Sequence, residues 1–428
     1  MTIERPRLPI YNLLLSISNL IDMVSPLIDN HHKQTAYIAY SLGKELGLVD
    51  RELTQLFLAG ALHDIGAFSL KSKLAVLDFE FENPHQHAEN GYLLLKDFKP
   101  LRKAARIIRY HHVHWLHSSG MEFNGELVPE SSHILHLADR ISILINQNAE
   151  IFGQIKGIEE RILEQSGRMF CPKFVDVFRS IAGREYFWID ATSHWLNTIM
   201  RRCIKSEKIK YGYGSMLEVA DVFSKIIDFR SQYTTSHSSG VAAVSEALGR
   251  MYGYDRARCD MIKVAGLLHD IGKLAVPSEL LIKSSPLSQV DINILRKHPY
   301  YSYRAFDHMQ SINEIVEWIS FHHERLDGKG YPFHLKADQL SMESRIIAVA
   351  DHFSALMEDR PYRKGMPNQA ASGVLRKMSE ESALDPDIVS LVLNNFDEVD
   401  SIRADAQAVS EVEYRRFIDL TERKRLAS

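Results

Sequence analysis

Two stretches of the sequence decide the fold because they nearly repeat each other: LAGALHDIGAF at residues 58–68 and VAGLLHDIGKL at residues 264–274. Each ends an apolar segment with an adjacent histidine and aspartate. The two pairs, His63-Asp64 and His269-Asp270, lie 206 residues apart (269 − 63). A pattern repeated at such long range indicates two copies of one structural unit.

The repeat extends well beyond these two stretches. The first copy comprises His31, His63, Asp64, His87, His111, His112 and Asp139. The second comprises His237, His269, Asp270, His298, His322, His323 and Asp351. The separation of equivalent positions grows only to 212 residues at the final aspartates (351 − 139), so ten of the twenty histidines occupy matching places.

Between the copies lies KSEKIKYGYGS, residues 205–215, which is rich in lysine and glycine and poor in apolar residues. We interpret it as a linker between a first domain, residues 1–204, and a second, residues 216–428. An apolar stripe of helical period precedes the second copy: Val219, Val222, Phe223, Ile226 and Ile227. No comparable run of strict alternation occurs, so we expect an all-α fold of two tandem helical domains.

Composition excludes several classes of protein. With 51 Lys and Arg against 55 Asp and Glu, and a net charge of −4, the chain has no general basic field for a nucleic-acid polymer or an anionic membrane. No stretch approaches the ~18 apolar residues that would span a bilayer, and the N-terminus has no clean signal-peptide core, so we expect a cytoplasmic protein. Three cysteines are too few for a disulfide framework or a thiolate zinc cluster.

The repeated histidines and aspartates predict metal binding. Burying a His-Asp pair costs a few kcal/mol unless the side chains find partners, and a metal ion supplies them. Imidazole and carboxylate together suit iron, manganese, zinc, cobalt or nickel. In the second copy one ion would take His237, His269, Asp270 and Asp351, and another His298, His322 and His323, with Asp270 bridging. Two ions ~3.5–4 Å apart can clamp a phosphoryl group and generate a hydroxide at neutral pH.

Four motifs follow one another in the second copy: HDIGKLAVP at 269–277, HPYYSY at 298–303, HHERLDGKGYP at 322–332 and AVADHFSALMEDRPYR at 348–363. In this order and spacing they resemble the HD-GYP family, the cyclic-dinucleotide phosphodiesterase branch of the HD superfamily of metal-dependent phosphohydrolases. The resemblance runs from about Met216 to about Val399, and HHExxDGxGYP is far more specific than a lone His-Asp pair.

The resemblance implies an all-helical domain in which two or three metals hold a bridging hydroxide that attacks the phosphodiester. It implies these metal ligands: His237, His269, Asp270, His298, His322, His323 and Asp351. Asp270 and Lys273 would act in catalysis, with Lys273 also touching a phosphate. The loop that shapes the substrate groove would contain Asp327, Gly330 and Tyr331, and Arg360 and Arg363 would meet a phosphate and a guanine.

The chain departs from the family's pattern at one position that concerns metal number. Members with three metals tend to have a glutamate four residues before the first histidine, and here that residue is Tyr233. We therefore expect two divalent ions, with iron or manganese favoured and zinc, nickel or cobalt left open.

The first copy departs further. Ala67 stands where the second copy has Lys273, and HHVHWLHSSGMEF at 111–123 has neither Asp-Gly nor Gly-Tyr-Pro. We expect a second metal site there, formed by His31, His63, Asp64, His87, His111, His112 and Asp139, without turnover of its own. The alternative is that these side chains are hydrogen-bonded packing groups.

The function expected from these features is hydrolysis of a cyclic dinucleotide second messenger, cyclic di-GMP or 3′3′-cyclic GMP-AMP, to a linear dinucleotide. Two alternatives stay open: a non-catalytic cyclic-dinucleotide sensor, and an HD-type nucleotide phosphohydrolase. The expected partner is the cyclic dinucleotide, with no nucleic-acid polymer and no membrane. The sequence leaves open a homodimer, the preferred purine pair, the metal, and whether the product is cut further to mononucleotides.

Overall fold

The computed structural model divides the chain into two compact units, within residues 9–209 and 210–423. It describes residues 10–25, 30–75, 77–79, 84–203, 213–231, 235–359 and 363–427. The division falls inside the stretch 205–215 that we interpret as a linker, of which residues 205–212 lie outside the described part.

The described residues of the N-terminal unit form helices and one small hairpin. Its helices are α1 (Ile10–Asp22), α2 (His31–Glu45), α3 (Asp50–Leu62), α4 (Leu70–Ala75), α5 (His85–Leu95), α6 (Arg102–Arg109), α7 (Glu130–Leu144), α8 (Ile155–Leu163), α9 (Pro172–Ala182), α10 (Glu185–Ala191) and α11 (Leu196–Cys203). The antiparallel hairpin pairs β1 (Glu122–Phe123) with β2 (Glu126–Leu127).

The described residues of the C-terminal unit form helices and no extended sheet. The helices are α12 (Tyr213–Asp228), α13 (His237–Tyr252), α14 (Arg256–Leu268), α15 (Ser278–Leu281), α16 (Gln289–Leu295), α17 (His298–Phe306), α18 (Asn313–Ser320), α19 (Met342–Met357), α20 (Asn368–Glu380), α21 (Pro386–Asn394) and α22 (Phe396–Ala427). The apolar stripe predicted before the second copy lies on α12, where Val219, Phe223 and Ile226 are buried. The prediction of an all-α fold is confirmed.

Glycine at one motif position lets two helices touch backbone to backbone in each unit. A Cβ on Gly266 of α14 would lie 2.7 Å from Cα of Ala242 in α13, and one on Gly60 of α3 would lie 2.6 Å from Cα of Ala36 in α2. Any larger residue would force the helices apart. This contact brings the histidine that begins α13 or α2 close to the His-Asp pair that follows α14 or α3.

The glycine of HDIG makes a second close approach. A Cβ on Gly272 would lie 1.9 Å from the carbonyl oxygen of His298, and one on Gly66 would lie 2.1 Å from that of His87. The turn after each His-Asp pair is thereby packed against the helix that carries the next histidine of the pattern. None of the described helices is both long and apolar enough to cross a membrane.

Candidate metal centre

The seven predicted ligands of the C-terminal unit converge because each lies at a helix end or on one buried helix face. His237 begins α13 and His298 begins α17, while His269-Asp270 follow α14 and His322-His323 follow α18 closely. Asp351 lies within α19. Two groups of ligand atoms each fall within 4.8 Å of one another: His237 with His269 and Asp270, and His298 with His322 and His323.

The Asp270 carboxylate lies between these two groups. Its Oδ2 is 3.3 Å from Nε2 of His269, and its Oδ1 is 3.3 Å from Nε2 of His298. Asp351 approaches the first group through Oδ1, 3.2 Å from Nε2 of His237, and His323 through Oδ2 at 3.9 Å. One carboxylate with an oxygen toward each group is the arrangement expected of a bridging ligand.

Backbone carbonyls fix the orientation of three imidazoles. Nδ1 of His269, His298 and His322 donates to the carbonyl three residues earlier, at 2.8, 2.7 and 2.7 Å respectively. In a neutral imidazole with a protonated Nδ1, Nε2 carries the lone pair. All three lone pairs are therefore directed into the cluster, which is how metal-binding histidines are held.

Burial keeps the imidazoles of His298 and His322 neutral. It lowers the pKa of His298 to about 4 and that of His322 to about 3, because desolvation penalises the charged form. For Asp270, burial opposes ionisation, but Lys273 and His269 outweigh it and hold the pKa of the carboxyl well below its usual range. Near neutral pH the cluster thus offers neutral nitrogen donors from His298 and His322 and an ionised carboxylate from Asp270.

The donor set fits divalent metal ions. Nε2 of His298 and Nε2 of His322 lie 3.2 Å apart, so two lone pairs face each other without a proton between them. Nε2 of His269 is buried and has no hydrogen-bond partner among the described residues. A cation between these nitrogens relieves both problems, and the mixture of imidazole and carboxylate suits a transition metal.

Lys273 lies at the edge of the cluster in the 3₁₀ segment Ile271–Ala275. Its Nζ is 2.5 Å from Oδ2 of Asp270, and its side chain is 18% exposed, so the ammonium also reaches toward solvent. Buried Arg230 holds this segment by donating to the carbonyls of Lys273 at 2.7 Å and of Val276 at 2.8 Å. Sequence reasoning missed Arg230, since it belongs to none of the recognised motifs.

The loop that contains Gly330, Tyr331 and Pro332, here called the GYP loop, is held in place by its own side chains. Buried Glu324 accepts hydrogen bonds from the backbone N–H groups of Phe333 and Leu335, at 2.7 and 3.0 Å. A Cβ on Gly330 would lie 2.4 Å from Cα of Glu324, so glycine is required for this close approach. Asp327, expected to bind substrate, accepts both prongs of the Arg325 guanidinium, at 3.0 and 2.8 Å.

Tyr331 covers one side of the cluster. Its ring centroid is 4.9 Å from that of His323. The Arg296 guanidinium also lies over the Tyr331 ring, 4.5 Å from the ring centroid. Burial raises the pKa of the Tyr331 hydroxyl, so the phenol stays protonated. Its backbone N–H donates to the carbonyl of His323 at 3.1 Å, which fixes the loop to the predicted ligand pair His322-His323.

The remaining predicted substrate residues are placed differently. The Arg363 guanidinium donates to the carbonyls of Ala355 and Leu356 near the end of α19, the latter at 3.2 Å. These hydrogen bonds give Arg363 a structural role at the end of α19. Arg360 and Tyr233, the position used to predict metal number, lie outside the described residues.

A contact that no motif indicated orients His237. Its Nδ1 donates to the Glu358 carboxylate, 3.0 Å from Oε2, and Glu358 also accepts a hydrogen bond from Nε2 of Gln407 on α22. Gln407 is buried. A helix near the C-terminus thereby supports the first predicted ligand of the cluster.

The N-terminal unit brings its seven predicted ligands together in a similar way. Asp64 lies between two histidine groups, with Oδ2 at 3.2 Å from Nε2 of His63 and Oδ1 at 3.1 Å from Nε2 of His87. Asp139 Oδ1 is 3.3 Å from Nε2 of His31. The second group is Asp64, His87, His111 and His112, whose ligand atoms fall within 4.8 Å of one another.

Each of the two clusters lies within a segment that matches an HD-domain family model. HD-domain family models match residues 28–144 and residues 221–388, and each match contains one complete set of the seven predicted ligands. The chain contains two HD domains. The GYP loop assigns its second HD domain to the HD-GYP type, as the resemblance in the sequence predicted.

Two curated relatives align with the tandem HD domains over most of their length, and a third aligns over a shorter segment. The 3′3′-cGAMP-specific phosphodiesterase 1 of Vibrio cholerae is 27% identical over 388 residues, covering 89% of this chain and 90% of the relative. The 3′3′-cGAMP-specific phosphodiesterase 3 of that organism is 25% identical, covering 90% and 94%. A cyclic di-GMP phosphodiesterase of Pseudomonas aeruginosa is 37% identical over 158 residues, covering 37% of this chain and 38% of the relative.

A solved structure shares the fold of the tandem HD domains. It is a cyclic GMP-AMP specific phosphodiesterase of V. cholerae, which superposes with a TM-score of 0.60 at 22% identity and covers 92% of this chain and 96% of the other. At this level of identity the likeness concerns the fold alone.

Proposed function

We propose that the second HD domain is a metal-dependent phosphodiesterase that opens a cyclic dinucleotide. The observation that carries the proposal is the cluster of seven ligands with Asp270 between its two groups and Lys273 at its edge. A non-catalytic sensor would not need two sets of metal ligands around one carboxylate. An HD-type nucleotide phosphohydrolase with a mononuclear centre would leave His298, His322 and His323 without a role.

Access to solvent supports a catalytic role. The side chains of His323, Lys273 and Asp351 are 22%, 18% and 11% exposed. The other five predicted ligands, including Asp270, are almost fully buried. One side of the cluster is thus open to a ligand. Catalytic metal sites need such an open position, while purely structural sites are closed by protein ligands.

The ligands would divide between two ions, with His237, His269 and Asp351 on one side of Asp270 and His298, His322 and His323 on the other. When bound, such ions act as Lewis acids on the phosphoryl oxygens and lower the pKa of water at neutral pH. Iron or manganese is our proposed metal, with zinc, nickel and cobalt as the other candidates for this donor set.

The chain's own groups complete the site. Lys273 presents its ammonium at the open edge, where it can neutralise a nonbridging phosphate oxygen. Its ion pair with Asp270 keeps that carboxylate ionised and fixed between the histidine groups. Tyr331 covers His323 with an apolar ring face, which excludes water from one side and leaves the side near Lys273 for the substrate.

The substrate we propose is 3′3′-cyclic GMP-AMP or cyclic di-GMP, with a linear dinucleotide as the product. The two relatives aligned over nine-tenths of the chain are named for 3′3′-cGAMP, which makes this nucleotide the first to test. The relative named for cyclic di-GMP aligns with a shorter segment, so this nucleotide is the second. We place the enzyme in the cytoplasm, where a second messenger acts, and we propose no nucleic-acid polymer as a partner.

The test is a substrate panel with the purified full-length chain, loaded separately with manganese and iron. The panel contains 3′3′-cGAMP, cyclic di-GMP, a nucleoside triphosphate and a guanosine tetraphosphate, with products resolved by mass spectrometry. We expect a linear dinucleotide from at least one cyclic substrate. Tight binding without cleavage would indicate a sensor, and hydrolysis of only the linear nucleotides would indicate a nucleotide phosphohydrolase.

A further inference from the structure

The cluster of the first HD domain differs from that of the second in how completely it is enclosed. All seven side chains of the set are at most 6% exposed. His112, the equivalent of the partly open His323, is 3% exposed. The two clusters therefore offer similar donors, but only the C-terminal one has an accessible edge.

Two substitutions on α7 account for much of this closure. Counting from the matching aspartates Asp139 and Asp351, His136 occupies the place of Ala348, and its ring lies 5.6 Å from that of His112. Phe170 packs behind His136 at 5.4 Å between ring centroids. Side chains thus fill the space beside His112 that alanine leaves free in the other copy.

Arg140 occupies the position of His352 and acts on the carboxylate directly. Its Nη2 donates to Oδ2 of Asp139 at 2.6 Å, and its Nη1 donates to the carbonyls of Asp78 and Phe79 at 2.6 and 3.1 Å. The guanidinium is buried. Because protein groups accept these hydrogen bonds, Arg140 fixes Asp139 and does not offer its charge to a phosphate. The side chain of Lys273, by contrast, is 18% exposed.

The segment that replaces the GYP loop is paired with another segment of the same unit. The backbone N–H groups of residues 115–117 donate to the carbonyls of residues 167–169, at 2.8 to 3.1 Å. In the second domain the corresponding region turns back on His323 through Tyr331 instead. The N-terminal cluster is therefore covered by a second segment of chain.

The enclosed cluster still has the chemistry of a metal site. Nδ1 of His63 and Nδ1 of His111 donate to the backbone carbonyls of Gly60 and Ile108, at 2.8 and 2.6 Å, so the Nε2 atoms of both rings face the carboxylates of Asp64 and Asp139. Nε2 of His87 and Nε2 of His112 lie 3.0 Å apart. Nitrogen and oxygen donors that converge in this way suit a transition-metal ion, which favours a metal site over a set of packing groups alone.

We infer that the first HD domain holds divalent transition-metal ions in a closed centre that stabilises the domain and does not turn over substrate. The ions would join the ends of α2, α3, α5 and α6 to Asp139 on α7. A closed centre of this type releases its metal slowly, since each exit requires the surrounding helices to separate. This inference does not depend on what the second domain hydrolyses.

The test measures release of zinc from the full-length chain to an excess of a chromogenic chelator. We expect two phases from the zinc-loaded wild type, with the slow phase at least about tenfold slower than the fast one. The double variant His269→Ala with Asp270→Ala should retain the slow phase, and His63→Ala with Asp64→Ala should retain the fast one. A single fast phase in the wild type, or no zinc retained by the first variant while circular dichroism shows it folded, would overturn the inference.

A second comparison examines Arg140. In the His269→Ala, Asp270→Ala background, we expect Arg140→His, which copies the residue of the other domain, to bind the same amount of zinc and release it faster. Unchanged release would contradict the role assigned to Arg140. Thermal unfolding of the wild type provides a readout without substitution, because chelation should lower the midpoint of the N-terminal unit only after the slow phase has passed.

Discussion

Lys273 gives the second domain a cationic side chain at the position where the first domain has Ala67, and this is the clearest chemical difference between the two. We expect Lys273→Met to lower kcat about 10²–10³-fold, since it removes a charge aimed at developing negative charge on phosphate. Metal content should be nearly unchanged because Lys273 is not among the predicted ligands. The measurement is initial rate against cyclic dinucleotide together with elemental analysis.

Lys263→Met is the matched control for this substitution. Lys263 lies on α14, the helix that leads to the His-Asp pair, but its ammonium pairs with Glu246 at 2.7 Å and is 38% exposed. It should behave as the wild type does. Equal losses from both lysine variants would contradict a specific role for Lys273.

Glu358 is a positioning residue, since it acts on His237 and not on substrate. Glu358→Ala should weaken metal binding or activity about 10–100-fold, which is the usual effect of removing a partner behind a metal-binding histidine. Glu358→Gln keeps an acceptor oxygen for Nδ1 of His237 and should recover much of the loss. Metal titration followed by rate measurement at saturating metal separates the two effects.

Glu246→Ala controls for the loss of a carboxylate near α13. Glu246 lies on the same helix as His237 but pairs with Lys263 at its surface. We expect wild-type metal affinity from this variant. If Glu358→Ala also bound metal with wild-type affinity and full activity, the support of His237 by Glu358 would be disproved.

At the level of helices, the contact between α13 and α14 positions His237 against His269. Gly266→Ala should destabilise the C-terminal unit by about 1–3 kcal/mol, because the new methyl group would meet Cα of Ala242 at 2.7 Å. Gly373→Ala, in α20, places its methyl group in open space and should stabilise by up to about 1 kcal/mol. Chemical denaturation of both variants gives the comparison, and shifts in the same direction would refute it.

The ends of these helices were predictable from sequence to the extent that they carry repeated ligands. His237, His269 and His298 recur at matching positions in both copies, so their convergence could be inferred without coordinates. The Glu358–Gln407 contact could not, because Glu358 follows α19 whereas Gln407 lies on α22, far along the chain and outside every repeated motif. The role of Arg140 could likewise not be predicted, because its place next to Asp139 on a helix does not indicate which carbonyls its guanidinium will reach.

For the whole molecule, duplication accounts for the two clusters, and local substitutions account for their difference. The second domain keeps Lys273, the GYP loop and an open edge, while the first has Ala67, Arg140 and a covered cluster. Sequence predicted the loss of the lysine and the loop in the first copy. The enclosure of its ligands required the structure, because burial depends on side chains as distant as Phe170.

The division of labour between the domains is tested most directly by turnover of 3′3′-cGAMP and cyclic di-GMP in two full-length double variants. We predict that His63→Ala with Asp64→Ala retains substantial cleavage, and that His269→Ala with Asp270→Ala, folded by circular dichroism, retains none. Cleavage at the wild-type rate by the second variant, or equal losses from both, would contradict a single catalytic site in the C-terminal domain.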